Sequence, residues 1–349
     1  MRNNLKFIAK GLLFAFLFVI LFVPVQALLV RKSLVEPWDM TNKTAGFYNE
    51  PQDEFPVMFF GSSHAYAGFS PLEIWHETGI KSYVFATQAQ PMWATLTYLK
   101  EALKTQSPKL VVLECYRLVE EATYTDEGVT HSYMDDLPLS ANKLALAKVS
   151  APAGERVPLI VNFIKYHGRW AELTEADVEF HRRQAKDPFK GFVMLPPSEH
   201  PEEISVEPLQ QATEPAPLSA KSEQALREFI ELCQEKDIDL WLVKAPSNIS
   251  PADDAKMLRV AEIAAEYGVP FDNYNTYDYY AQTGIDPQTT FFDQTHMDIT
   301  AATRFNRAFA QTLTERYPSL PKARKDASWK DCYRTYLKQQ RTCLEEHEK

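Results

Sequence analysis

Residues 57–64 read Val57-Met58-Phe59-Phe60-Gly61-Ser62-Ser63-His64, an apolar run cut off by a glycine and followed at once by three polar side chains. Val57–Phe60 predicts a short buried strand, and Gly61 predicts the tight turn that ends it. Outward from there the same rhythm repeats. Tyr83–Ala86 is a second strand candidate, and Trp93–Lys104 carries Leu96, Leu99 and Leu103 at helical spacing. Leu110–Cys115 has five apolar residues in six, which suits a strand covered on both faces of a parallel sheet. The pattern resumes at Ser222–Lys236, a helix with Ser222 as N-cap, then Leu240–Lys244, a strand. Asp254–Tyr267 is a helix closed by Gly268, Val269–Phe271 a short strand, and a last helix starts at Asp298 or Thr300 and runs to about Tyr317. Strands alternating with helices give an α/β fold, a doubly wound parallel sheet with helices on both faces. In such sheets, sites form beyond the carboxyl ends of the strands.

The 349 residues fit one large α/β domain with appendages, and a 45% hydrophobic content is enough for a core. The formal net charge of -10 argues against a nucleic-acid partner, which would demand basic patches. Arg2, Lys6 and Lys10 precede Gly11–Val30, which has no charged residue. As a helix this run spans about 30 Å, the thickness of a bilayer's hydrocarbon core. The upstream basic residues predict a cytoplasmic N-terminus and an exported, single-pass protein in the cell membrane, although Arg31 and Lys32 sit on the far side. The alternative is a signal peptide cleaved after Val25-Gln26-Ala27, but the run is longer than an ordinary signal core. The division expected is therefore 1–33 anchor, 34–55 polar stalk, 56–320 α/β domain and 321–349 helical tail. An insertion at about 120–220 is expected to be partly helical, with Lys143–Val149 and Val157–Trp170 as helices and Pro196–Pro217 as loop. Cys115 and Cys233 read as core, while Cys332 and Cys343 could bridge only if the tail bends between them. No Cys-x-x-Cys or His/Cys cluster points to a metal, and nothing implies a cofactor.

Gly61-Ser62-Ser63 alone is an ordinary turn sequence, and His64 is a poor base for a serine next to it. The second half of the argument lies at Phe291-Phe292-Asp293-Gln294-Thr295-His296-Met297-Asp298, just before the last helix. Asp293 and His296 are three residues apart, so the carboxylate can hold one imidazole nitrogen and leave the other for a serine. Read separately, Asp293 is a cap and His296 a surface residue. Read with Ser63, the three make a nucleophile, a base and its orienting carboxylate.

These blocks, in this order, resemble the SGNH/GDSL hydrolase superfamily. The resemblance covers roughly residues 56–317 and implies Ser63 as nucleophile, with Asp293 and His296 completing a triad. It puts Ser62 where the superfamily has aspartate. The glycine and asparagine blocks that complete its oxyanion hole have no clear match, and Gly-x-Asn-Asp is absent. Ala86–Pro91 and Glu114–Arg117 stand after the second and third strands instead. The Ser63 and Thr87–Gln88 backbone N–H groups, helped by Gln88 or Gln90, are the expected replacement. With the N-terminal membrane helix, this is similar to the branch holding the D-alanyl transfer protein of teichoic acid synthesis and other partners of membrane-bound O-acyltransferases. That implies an acyltransferase or esterase for a cell-envelope glycan, with a simple exported carbohydrate esterase and a non-catalytic assembly partner as alternatives. Tyr166–Leu173 looks like an insertion motif of such proteins, in which His167 and Arg169 would touch substrate; the alternative is an amphipathic helix end packed by Trp170. Lys244 ends the fourth strand and reads as a solvated strand-end lysine, the alternative being a side chain that faces the site.

Overall fold

The computed structural model describes residues 2–32, 40–183, 186–210 and 212–347. Helix α1 (Arg2–Leu29) is, among the described residues, the one helix long and apolar enough to cross a bilayer. Strand β1 (Val57–Phe60) is buried throughout and leads into the short helix α2 (Ser63–Gly68). Helix α3 (Pro71–Thr78), β2 (Ser82–Val84), α4 (Met92–Ala102) and β3 (Leu110–Glu114) follow. Beyond the insertion come α5 (Ala220–Glu235), β4 (Asp239–Lys244), α6 (Pro251–Tyr267), β5 (Phe271–Asn273), α7 (Ile299–Arg316) and α8 (Ala327–His347).

The five strands form one parallel sheet in the order β2-β1-β3-β4-β5, the flavodoxin-like arrangement. The chain leaves β1 for β2 on one side and returns to place β3 on the other. The crevice between the carboxyl ends of β1 and β3 is therefore the switch point where such sheets hold their sites. Alternation along each strand divides the core in two. Met58, Phe60, Val111 and Leu242 face one layer with Phe229 of α5, and Val57, Phe59, Val112 and Trp241 face the other with Phe309 of α7. Full burial of each such side chain contributes about 1.5–3 kcal/mol, which is why near-continuous apolar runs become central strands here.

Helix α7 is capped by Asp298, whose Oδ1 accepts from the Ala301 N–H at 2.8 Å. Its Ala301, Phe305, Phe309 and Leu313 lie four apart and are all buried. Asn306 on the same helix donates to the Gly68 carbonyl at 2.7 Å and accepts from the Ser70 N–H at 2.9 Å. It thus ties the last helix of the sheet to the end of α2.

Several expectations are corrected. The N-cap of α5 is Ser219, not Ser222; the Ser219 Oγ accepts from the Ser222 N–H at 3.2 Å. Val157–Trp170 is not one helix. It breaks where Val161 leaves helical space, into Arg156–Ile160, Phe163–Tyr166 and a tight turn over His167–Ala171. Residues 40–55 are no solvated stalk, because two apolar side chains pull them onto the domain. Met40–Phe47 is a helix, Phe47 stacks on Phe85 with ring centres 4.1 Å apart, and Phe55 is buried. Residues 33–39 of that stretch lie outside the described residues. Lys244 is not solvated but completely buried. Cys332 and Cys343 sit on one unbroken helix, α8, which does not bend between them.

Candidate active site

Gly61 ends β1 at φ +147, a conformation side chains resist. A Cβ there would come within 2.9 Å of the Ala65 side chain and 3.1 Å of the Glu114 carbonyl. This close crossing of β1 and β3 turns the chain sharply, so that Ser63 opens α2 at the switch point. Ser63 and His64 sit in the first turn of that helix, so their N–H groups have no carbonyl four residues back within it.

The loop before α7 supplies the other half. Phe291 and Met297 pair as an antiparallel bridge, and the Phe292 N–H donates to the His296 carbonyl at 2.9 Å, closing a compact turn. Within it the Asp293 Oδ1 accepts from the N–H groups of Thr295 and His296, each at 2.9 Å. The carboxylate also meets the His296 Nδ1 at 2.9 Å. A carboxylate only accepts, so Nδ1 carries the proton and Nε2 is left as acceptor. The Ser63 Oγ lies 2.8 Å from that Nε2 and donates to it. Ser62 is buried, but its Oγ has no hydrogen-bond partner. Burial alone would raise the Asp293 carboxyl; the His296 ring and the two backbone donors outweigh it and hold it below the ordinary value. A groove of about 530 Å³, lined by Pro196, His200, Glu203, Phe292 and Asp293 among others, opens on the carboxylate's side.

A buried layer, of which the sequence pointed only to Lys244 as an alternative, lies behind the imidazole. The His64 ring is stacked between two others, 4.5 Å from His296 and 3.7 Å from Tyr116. Burial, then the neighbouring His296, Lys244 and Arg117, push its pKa well below the ordinary value against the pull of the Thr295 carbonyl. His64 is thus a neutral plate behind His296. Below lies Glu114, which accepts from the Tyr116 N–H at 3.0 Å and the Ala245 N–H at 3.4 Å. Its carboxylate is 4.0 Å from the Lys244 Nζ, which also donates to the Ala245 carbonyl at 2.6 Å and the Ser247 Oγ at 2.5 Å. Burial raises Glu114 to about 7 against the attraction of Lys244, and lowers Lys244 to about 8 against that of Glu114. Glu114 and Lys244 each end an otherwise apolar run, on neighbouring strands at the site-forming edge. That coincidence was the available signal.

The remaining expected residues are placed elsewhere. Thr87 Oγ1 donates to Gln90 Oε1 at 2.9 Å, and Gln90 Nε2 donates to Thr95 Oγ1 at 3.0 Å, so both buckle the turn after β2. The Gln88 side chain is exposed and its carbonyl accepts from Ser132. His167 is exposed, with Nδ1 3.0 Å from the Ile164 carbonyl. Arg169 donates to the Leu29 carbonyl at the end of α1 at 2.8 Å and pairs with Asp177 at 3.2 Å. Its guanidinium serves a helix terminus, a favourable place for a cation, and not the serine.

No protein-family model and no curated protein matches the sequence. Among solved structures, the chain is similar to a Bacteroides fragilis protein assigned as an acylhydrolase. Identity is 11%, over 78% of this chain and 94% of that one, with a TM-score of 0.38. It is also similar to a gut microbial diltiazem-metabolizing enzyme, at 14% identity over 76% of this chain and 48% of that one, with a TM-score of 0.29. The functional reading therefore rests on the side-chain geometry itself.

Proposed function

We propose that the chain is a membrane-anchored, extracytoplasmic serine O-acyltransferase or esterase acting on a cell-envelope glycan through an acyl-serine intermediate. The observation that carries this is the relay Asp293–His296–Ser63 at the switch point of the sheet. In the proposed reaction the Ser63 Oγ attacks an ester carbonyl while its proton moves to His296 Nε2. The Ser63 and His64 N–H groups face the developing oxyanion. His296 then gives that proton to the departing alcohol, leaving the acyl group on Ser63. A sugar hydroxyl or water, deprotonated by the same Nε2, attacks the acyl-serine and frees the enzyme. Asp293 keeps Nδ1 protonated and stabilises the imidazolium in both halves. The apolar helix α1 supports the anchor, and the resemblance to acyltransferase partners supports a membrane-bound O-acyltransferase as the source of the acyl group. One observation favours the alternative of a non-catalytic partner: Ser63 is only 8% exposed. A serine-directed activity probe decides. The wild type and Ser62→Ala take the label and Ser63→Ala does not; labelling that survives Ser63→Ala removes the nucleophile. Equal glycan acylation in cells carrying wild type or Ser63→Ala would leave only the non-catalytic role.

A further inference from the structure

Phe163–Ala171 runs beside the last turns of α1, and Arg156–Ile160 packs on Phe163–Tyr166 just before it. The Phe163 ring packs on Phe22 with centres 5.2 Å apart, and the Phe163 N–H donates to Gln26 Oε1 at 3.4 Å. Arg169 then reaches the Leu29 carbonyl. From Phe22 to Leu29 is about 10 Å of helix axis, so the segment is not perched above the apolar run but lies along its end. It also shows three large apolar side chains outward: Val157 is 55% exposed, Ile164 46% and Trp170 73%. Over the same turns α1 itself exposes Leu21, Val23 and Val25.

We propose that Arg156–Ala171 is a second, in-plane membrane contact, with Val157, Ile164 and Trp170 seated at the boundary between headgroups and acyl chains. The inference rests on α1 being the span. Whatever lipid surrounds α1 at Phe22–Leu29 must also meet the segment bound to it, because the two are in van der Waals and hydrogen-bond contact. The composition suits that depth: apolar side chains alternate with Lys165, His167 and Arg169, and tryptophan favours the interface, where its ring is apolar and its N–H wet. A single span leaves a domain free to swivel about its axis. A second contact fixes which face of the sheet looks along the membrane.

The full chain, reconstituted in vesicles of phosphatidylcholine and phosphatidylglycerol without other proteins, tests this. The emission of Trp170 is read as wild type minus Trp170→Phe. It is expected at short wavelength, quenched roughly twofold or more by phospholipid brominated near the glycerol, and shielded from acrylamide, as an interfacial indole should be. A Trp170 signal open to acrylamide and indifferent to brominated lipid overturns the contact. So does shielding that appears only in native membranes, which would mean a protein partner covers this face. A chain stripped from the vesicles by alkaline carbonate overturns the span and the contact together, while leaving the reading of Ser63 untouched.

Discussion

Ser63, His296 and Asp293 act on one proton, so their removal should not add. His296→Ala and Ser63→Ala are each expected to lower acyl turnover by about 10⁴-fold or more, with the double variant little worse than either. Turnover of an acylated sugar, measured beside thermal melting, checks this; a His296→Ala protein that melts normally and keeps full turnover excludes the relay. His64 offers a pH test. Its folded pKa is depressed, so it contributes stability that is whole above about 6.5, its unfolded value, and is lost as pH falls toward the folded one. His64→Phe keeps a stacked ring without the titration. Its melting temperature should fall less than the wild type's between about pH 6.5 and 5; parallel curves would show that His64 protonates freely. At this scale the meeting of Ser63, Asp293 and His296 was legible from two short motifs read together: a glycine turn after a strand, and a carboxylate and imidazole three apart. For Gln88, Gln90, His167 and Arg169 polarity alone does not say which partner a side chain finds. Gln90 found Thr95, and Arg169 found a helix end.

Strand ends carry the next layer of argument, because β3 and β4 finish in a carboxylate and an ammonium that share one buried space. Glu114 pairs in register with Val243, so Lys244 stands one step beyond it. Removing one partner of a buried pair leaves the other without compensation and costs about 3–5 kcal/mol. Lys244→Ala should therefore lose about that much in denaturant unfolding, whereas Glu114→Gln with Lys244→Met should recover most of it. A Lys244→Ala protein as stable as wild type would mean that water reaches Glu114. The central strands were readable as apolar runs because both their faces are covered. β5 was not, and its position shifts from the expected Val269–Phe271 to Phe271–Asn273, since an edge strand needs no such run. The insertion was least legible. Its helices are short, and short helices form through tertiary contact more than through their own periodicity.

The whole molecule joins a long apolar helix to a doubly wound sheet, and the orientation of that joint across the proposed membrane is open to direct measurement. Protease added to intact spheroplasts should digest residues 34–349, and the same residues should be protected in inverted vesicles, as the basic residues before the apolar run imply. Digestion in spheroplasts only after the membrane is broken would reverse the topology. The two-sided sheet was foreseeable from alternating strands and helices; the folding of residues 40–55 and of α8 onto it was not, because single aromatic anchors such as Phe47 and Trp329 give no periodic signal. One further consequence follows from the bond between Ser63 and His296, which joins positions 233 residues apart. Ribosomes deliver the nucleophile early and its base almost last. Until α7 arrives and Asn306 fastens it to the end of α2, a nascent or truncated chain holds a serine with nothing to take its proton. Under the proposed function, completion of the polypeptide is thereby a safety catch: an unfinished copy lacks the His296 partner of Ser63, however well its first three strands have formed.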